Sequence, residues 1–121
     1  MTVSKAVEKA DSMYPNSFAF STKAQWLEEL DGRIRREVLS LYPDITLPEE
    51  VSYSIFPETK LIVSSPFEEL YSCYLSVKLC IAWGDTAGYK NASALFNSLY
   101  LSYMSYINRE HRAKKVSINI E

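Results

Sequence analysis

Apolar residues recur every three or four positions along four segments of the chain, and this is the spacing of one face of an α-helix. The first segment stops before Pro15, because a residue that precedes proline is pushed out of the helical region. The last segment ends at Arg109 and Arg112, whose cations favour the negative end of a helix. The four predicted helices cover about residues 3–13, 22–41, 66–83 and 92–112.

Residues that favour helix ends flank these segments. A side-chain oxygen just before a helix accepts a hydrogen bond from a free N–H group of the first turn. Glycine favours the residue after a helix, because it adopts the left-handed conformation without steric cost, and Gly84 is placed for that role. Gly32, inside the second helix, predicts a close approach by another helix. The candidate caps are Thr2, Thr22 (with Gln25 closing a capping box), Ser65 (with Glu68) and Asn91.

Residues 43–64 differ in character from the helical segments. Their prolines exclude a long helix, and apolar and polar residues alternate on both sides of a short turn at Phe56–Thr59. The alternation predicts a β-hairpin, and an extended loop is the alternative. Because an isolated hairpin is marginal in water, we expect this segment to lie on the helices or on another chain. The alternating apolar residues are Val51, Tyr53, Ile55, Leu61 and Val63.

A chain of 121 residues is the right length for one domain. Its hydrophobic fraction of 47% is that of an ordinary globular protein, so a buried core needs neither metals nor disulfides. We therefore predict a single, mostly α domain over residues 1–121. The expected architecture is a four-helix bundle-like domain, with a β-hairpin or extended loop inserted between the second and third helices. Residues 113–121 are predicted to form a flexible tail, or to add a strand to a partner.

Charge and hydropathy limit where such a protein works. The formal net charge of −2 provides no overall field that recruits nucleic acid or anionic lipid. No segment is long and apolar enough to cross a membrane, and the charged first residues lack a signal-peptide core. The chain is therefore predicted to stay inside the cell that makes it. Cys73 and Cys80 lie about 10.5 Å apart along a helix, too far for a disulfide, and are expected to be buried free thiols.

Residue patterns that carry catalysis or metal binding do not occur in the sequence. The single histidine, His111, lies among basic residues and is predicted to be a solvated surface residue. Adjacent carboxylates at 28 and 29, 49 and 50, and 68 and 69 point in different directions on a helix, so they do not form facing acid–base pairs. The sequence predicts no enzymatic activity, no bound metal and no cofactor.

Nine tyrosines against three glycines is an unusual balance. Tyrosine is favoured where a surface must be both soluble and adhesive. The last helix carries two apolar edges, one through Tyr106 and one through Tyr100. This predicts either a central helix buried on two sides or a helix whose second edge packs on a neighbouring chain. Together with the hairpin, this edge gives a candidate assembly interface made of Tyr53, Ile55, Phe56, Leu61, Val63, Tyr100 and Tyr106.

Three parts of the sequence resemble small proteins encoded among the head-assembly genes of tailed bacteriophages and Gram-positive prophages. They are Ala24–Asp31 (AQWLEELD), Leu61–Leu75 with its SPFEELY run, and Tyr89–Arg109 with its YKN, LFN and YINR runs. The resemblance covers Thr2 to Arg112. It implies a head–tail connector, also called an adaptor or head-completion protein.

The resemblance further implies that a helical domain with an extended loop or hairpin assembles with copies of itself as a ring beneath the portal, either alone or only with the portal as template. Such a ring continues the DNA channel, so DNA is passing cargo, and it receives a stopper or tail protein. No catalytic residues, cofactor or membrane are implied. The protein would lie in the host bacterial cytoplasm during assembly and then in the virion. The segment from Val51 to Ser64 would contact the neighbouring subunit or the portal.

Two other classes of function are open at this point. One is a helical protein-interaction adaptor or regulatory subunit unrelated to virions, for which a cellular enzyme would be the partner. The other is a nucleic-acid-binding module whose affinity would fall as salt rises. Its candidate cations are Arg109, Arg112, Lys114 and Lys115.

Overall fold

The structure is a computed structural model that describes the backbone of residues 1–120 and the side chains of residues 1–111. Its helices are α1 (Val3–Met13), α2 (Phe20–Glu37), α3 (Glu69–Trp83) and α4 (Thr86–Ile120), and a short 3-10 turn (Leu39–Leu41) follows α2. The prediction of a mostly α fold with four helices is confirmed. The last helix was predicted to end near Arg112, but the backbone of α4 continues as a helix to Ile120. The side chains of the tail predicted for residues 113–121 fall outside the described part of the chain.

The central helix of the domain is α3, which packs against α1, α2 and α4. Serine and cysteine occupy several of its buried positions, and these small side chains let the neighbouring helices come close. Cys73 and Cys80 are buried and unpaired, as predicted. The last helix is not central, because α4 buries one edge and leaves Leu95 and Tyr106 exposed. The buried residues of α3 are Leu70, Tyr71, Ser72, Cys73, Leu75, Ser76, Leu79 and Cys80.

Two of the predicted helix ends are confirmed. The N–H of Lys5 donates to Oγ1 of Thr2, 3.2 Å away, which caps α1. Gly84 ends α3 with φ at 70°, the left-handed conformation in which only glycine avoids a steric penalty. This turn leads directly into α4, which begins at Thr86, so the predicted start of the last helix at about residue 92 and its Asn91 cap are wrong. Asp85 caps α4 instead, because its Oδ1 accepts from the Gly88 N–H at 2.9 Å.

The other two predicted caps are also wrong. α2 begins at Phe20, before Thr22, because Asn16 shapes the preceding turn by accepting from the Phe18 N–H and donating to the Tyr14 carbonyl. α3 begins at Glu69, beyond Ser65. Phe67 packs against two tyrosine rings of α4 with centroids 5.6 and 5.3 Å away, and this contact holds residues 64–68 in turns.

Gly32 does not mark a close approach between helices. A Cβ placed there would meet only Nη1 of Arg36, 3.3 Å away in the same helix. The glycine therefore has no packing role that the described residues reveal.

No β-hairpin forms among the described residues, so the segment between α2 and α3 is an extended loop with turns. The hairpin prediction fails because the backbone groups of this loop bond elsewhere. The Val3 and Ser4 N–H groups at the start of α1 donate to the Thr59 and Pro57 carbonyls, and the Leu61 N–H donates to the Met1 carbonyl. One isolated antiparallel bridge joins Thr2 and Lys60. The loop thus satisfies the free N–H groups of a helix instead of pairing with itself.

Candidate protein-interaction surfaces

The structure divides the seven predicted interface residues into two groups. Ile55, Phe56 and Tyr106 are exposed, with 70%, 56% and 38% of their surface accessible. The other four are buried in the domain core and are not available to a partner in this conformation. They are Tyr53, Leu61, Val63 and Tyr100.

Tyr53 is buried because its hydroxyl reaches a carboxylate in the core. Asp31 of α2 is 1% exposed and accepts hydrogen bonds from the hydroxyls of Tyr53 and Tyr71, each at 2.6 Å. The Ile62 N–H donates to the same carboxylate at 3.3 Å. The Tyr71 hydroxyl in turn accepts from the Val63 N–H at 2.8 Å. This Asp31 cluster ties three positions of the loop to α2 and α3.

The Asp31 cluster holds a carboxylate where its charged form is disfavoured by burial. Burial raises the pKa of Asp31 above its usual value, and the hydrogen bonds from Tyr53, Tyr71 and Ile62 together with the charge of Arg35 lower it only in part. Burial and the Asp31 carboxylate raise the pKa values of Tyr53 and Tyr71. A network this buried stabilises one conformation only when every polar member is satisfied. Among the described residues, no buried side-chain nitrogen or oxygen lacks a partner.

Tyr100 is buried by a second polar contact, which joins α4 to α2. Its hydroxyl donates to Oε1 of Glu37 at 2.9 Å, and Arg33 donates to the same oxygen at the same distance. The Arg33 guanidinium lies 4.5 Å from the Tyr100 ring centroid, within the range of a cation–π contact. The hydroxyl that favours tyrosine at an interface here has an intramolecular partner.

Buried tyrosines make the fold sensitive to high pH. Burial raises the pKa of Tyr100 to about 12 and the pKa of Tyr103 to about 12, against 10.0 for an ordinary tyrosine. The stability that these buried, neutral tyrosines contribute is fully present below pH 10. It is lost as the pH rises through 12, because tyrosines in the unfolded chain ionise at lower pH than those in the folded chain. We expect the helical circular dichroism signal to fall between pH 10 and 12. Part of the phenolate absorbance should appear only as this signal falls, because the buried tyrosines ionise when the protein unfolds.

The same titration in concentrated urea is the control, and all nine tyrosines should then ionise together near pH 10. Complete ionisation of the folded protein while its helical signal is intact would contradict this prediction.

An exposed apolar patch lies at the outer turn of the loop. Ile55 and Phe56, here called the loop patch, are held there because the Phe56 N–H donates to the Ser52 carbonyl and the Ser4 N–H donates to the Pro57 carbonyl. The neighbouring Tyr53 is fixed by the Asp31 cluster and by a 2.9 Å bond from its N–H to Glu28. The loop patch is therefore presented on an ordered turn.

A second exposed apolar patch was missed by the sequence analysis. None of residues 81–95, which form the end of α3 and the start of α4, is buried, so the two helices extend beyond the core as a hairpin. Ile81, Trp83 and Tyr89, here called the tip patch, are all exposed. Trp83 is the last residue of the predicted third helix, directly before Gly84. The signal available in the sequence was a large apolar side chain placed at the end of a predicted helix, where little of the core remains to cover it.

A concave apolar surface completes the set. The groove, of about 540 Å³, lies between the loop and the C-terminal half of the described part of α4, and apolar side chains make up most of its walls. His111 closes one end. It is half-buried rather than solvated, because its Nδ1 lies 2.7 Å from Oδ2 of Asp44 and its ring lies 5.1 Å from that of Tyr42. The apolar lining residues include Ile45, Leu47, Leu61, Ile62, Tyr106 and Ile107.

A polar cleft of about 510 Å³ beside Asp31 contains several carboxylates and arginines. Most of these groups are engaged within the chain: Glu28 accepts from the Tyr53 N–H, Glu29 pairs with Lys78 at 3.5 Å, and Arg35 lies 3.9 Å from Glu50. Among the described residues, no group of three or more His, Cys, Asp or Glu side chains is arranged to hold a metal ion.

Four basic residues were predicted for the alternative in which the chain binds nucleic acid. Arg109 is exposed, and the side chains of Arg112, Lys114 and Lys115 fall outside the described part of the chain. No helix in the described part of the chain is both long and apolar enough to cross a membrane.

Comparisons with known proteins found no similar protein. No protein-family model matches the chain, and neither a curated protein nor a solved structure is significantly similar to it.

Proposed function

We propose that this chain is a non-enzymatic structural protein of a tailed bacteriophage, a head–tail connector that assembles as a ring beneath the portal. The resemblance of its three segments to head-assembly proteins supports this function. The observation that carries it furthest is the loop patch: Ile55 and Phe56 are exposed on a long loop that the Asp31 cluster fixes in place. Exposed apolar residues on an ordered loop are typical of a surface that binds another protein.

The fixed loop is suited to binding because its order is established before a partner arrives. Ordering a flexible loop during association weakens binding, and a loop already held by hydrogen bonds avoids that loss. Tyr53, Ile62 and Val63 are all held by the Asp31 cluster, and Leu61 is held by the start of α1. Residues 54–56, at the outer turn between them, are exposed and available to a neighbour.

The loop patch and the tip patch also lie in different parts of the domain. The loop is attached near Tyr71 in the first turn of α3, whereas Trp83 ends that helix about 18 Å further along its axis. Contacts between two different patches are heterologous, and they close into a ring when the rotation between subunits allows it. In this proposal the partners are other copies of the chain, the portal, and a stopper or tail protein, with DNA passing through the channel.

The proposal also places the protein in the host bacterial cytoplasm during assembly and afterwards in the virion. The formal net charge of −2 suits a ring that DNA traverses without being held.

The test is complementation in the phage or prophage whose genome carries this gene. Deleting the gene should give filled heads without tails in electron micrographs, and the wild-type gene supplied in trans should restore joined particles. The double variant Ile55→Asp/Phe56→Asp should fail to restore them, because a charge in the patch opposes burial against a partner. Leu101→Asp is the matched control, since Leu101 is 62% exposed on α4 and lies outside both patches.

Two results would contradict the proposal. Normal joining of tails to filled heads after gene deletion would exclude a connector. Full activity of the double variant, with a helical circular dichroism spectrum like that of the wild type, would exclude the loop patch as a contact surface.

A further inference from the structure

The apolar groove beside α4 has no occupant among the described residues. Its volume of about 540 Å³ can receive a large side chain and its neighbours. On the loop wall, Ile62 is anchored by the Asp31 cluster and Leu47 packs against the core. The helix wall is formed by Tyr106 and Ile107. Both walls are therefore preformed, which is the usual condition of a binding groove.

The tip patch has the opposite shape. Trp83 and Ile81 are 51% and 57% exposed at the end of a helical hairpin that extends beyond the core. Tryptophan is among the residues that most often dominate binding energy when they enter a pocket on a partner. The chain thus carries both a projecting apolar element and a groove lined with apolar side chains.

The two surfaces carry one pair of opposite charges, Asp85 at the tip and Lys60 at the groove. Asp85 lies in the turn at the apex of the hairpin, directly after Gly84, and its carboxylate is exposed. Lys60 is exposed on the lining of the groove and forms no ion pair with the described residues. Entry of the tip would bring an acidic apex toward an unpaired cation. Such complementarity favours one orientation of docking over others.

One helix separates the two surfaces, so the tip cannot fill its own groove. Tyr89 of the tip and Ile107 of the groove lie about 27 Å apart along the α4 axis, at 1.5 Å per residue. An occupant with the chemistry of the tip must then come from a second copy. A contact of this kind is head-to-tail, and repeating it gives an open chain or a closed ring.

We infer that the tip patch of one copy docks in the groove of the next copy, with Trp83 inserted between Leu47 and Ile107 and Asp85 near Lys60. This inference deepens the proposed function, since it supplies the subunit contact of the ring. It is tested on the purified chain alone, so the connector role can fail on phage heads while this contact stands, and the reverse.

The experiment is sedimentation velocity on the full chain and two variants. Trp83→Asp removes the tip and keeps the groove. Thr46→Trp keeps the tip and blocks the groove, because Thr46 is an exposed lining residue that is not part of the buried core. The wild type should form oligomers that grow with concentration, and each variant alone should sediment as a monomer.

A one-to-one mixture of the two variants is the decisive measurement. One intact tip and one intact groove remain, so the mixture should give a heterodimer and no larger species. A Lys60→Glu variant should weaken wild-type association at least tenfold, and a Lys60→Arg variant, which keeps the cation, should associate like the wild type.

Self-association of Trp83→Asp at the wild-type level would overturn the inference, as would a mixture in which both variants stay monomeric. A wild-type chain that is still monomeric at roughly 1 mM, where even a weak contact is populated, would overturn it as well. Circular dichroism on each variant shows whether the fold is intact, and Tyr106→Asp is a second groove variant for use if Thr46→Trp is unfolded.

Discussion

Replacing Asp31 with alanine should lower the free energy of unfolding by about 3 kcal/mol, a large part of the total for a domain of this size. The change leaves the hydroxyls of Tyr53 and Tyr71 and the Ile62 N–H buried without their acceptor. Each unsatisfied donor costs about 1 to 3 kcal/mol. Burying the Asp31 carboxylate is itself unfavourable, which is why its pKa is raised, and removing this cost offsets part of the loss. Urea denaturation followed by circular dichroism measures the difference.

Two further variants separate the cluster from a general effect of losing an acid. Tyr53→Phe removes one of the three donors and should lower stability by about 1 kcal/mol. Glu50→Ala removes an exposed carboxylate from the same cleft and should change stability by less than about 0.5 kcal/mol. If Asp31→Ala matched Glu50→Ala, the Asp31 cluster would have no role in holding the loop.

Leu75→Ala should lower the free energy of unfolding by about 3 kcal/mol, because it leaves a cavity in the helix that touches all three others. Leu75 is fully buried in the middle of α3. The same substitution at Leu101, which is exposed on α4, should change stability by less than about 0.5 kcal/mol. Equal effects of the two substitutions would mean that α3 is not at the centre of the fold.

The four helices could be predicted because apolar residues recur every three or four positions along each of them. The number and order of the helices therefore follow from local spacing, as do the Thr2 cap and the Gly84 stop. The wrongly predicted starts share one cause. Asn16, Asp85 and the packing of Phe67 decide where the neighbouring helices begin. Contacts of this kind compete with the capping preferences of Thr22, Ser65 and Asn91, and local sequence cannot rank them.

The loop was mistaken for a hairpin because alternation reports only which side chains face the core. Tyr53, Leu61 and Val63 do face it. What decides between hairpin and loop is the partner of each backbone N–H and carbonyl. Here those partners are the start of α1 and the side chains of Glu28, Asp31 and Tyr71. Glu28 and Asp31 lie 25 and 31 residues from the loop N–H groups that they accept from.

The interface prediction was affected in the same way. Tyrosine suits a binding surface when its hydroxyl meets water or a partner. The hydroxyls of Tyr53 and Tyr100 instead meet Asp31 and Glu37, which are 22 and 63 residues away in the chain. A buried carboxylate that joins distant elements leaves no periodic signal. The exposed Trp83, in contrast, had one signal in the sequence, its place at a predicted helix end, although the hairpin that exposes it is seen only in the structure.

The loop separates the residues that hold it from the residues it displays. Tyr53, Ile62 and Val63 bond to the helices, whereas Ile55, Phe56 and Glu58 point away from the core. Substitutions at positions 54–58 therefore change what the turn presents with little effect on folding. Such a turn can follow changes in a partner over evolution while the helical scaffold stays constant. For the same reason it is a natural site at which to graft a binding sequence from another protein.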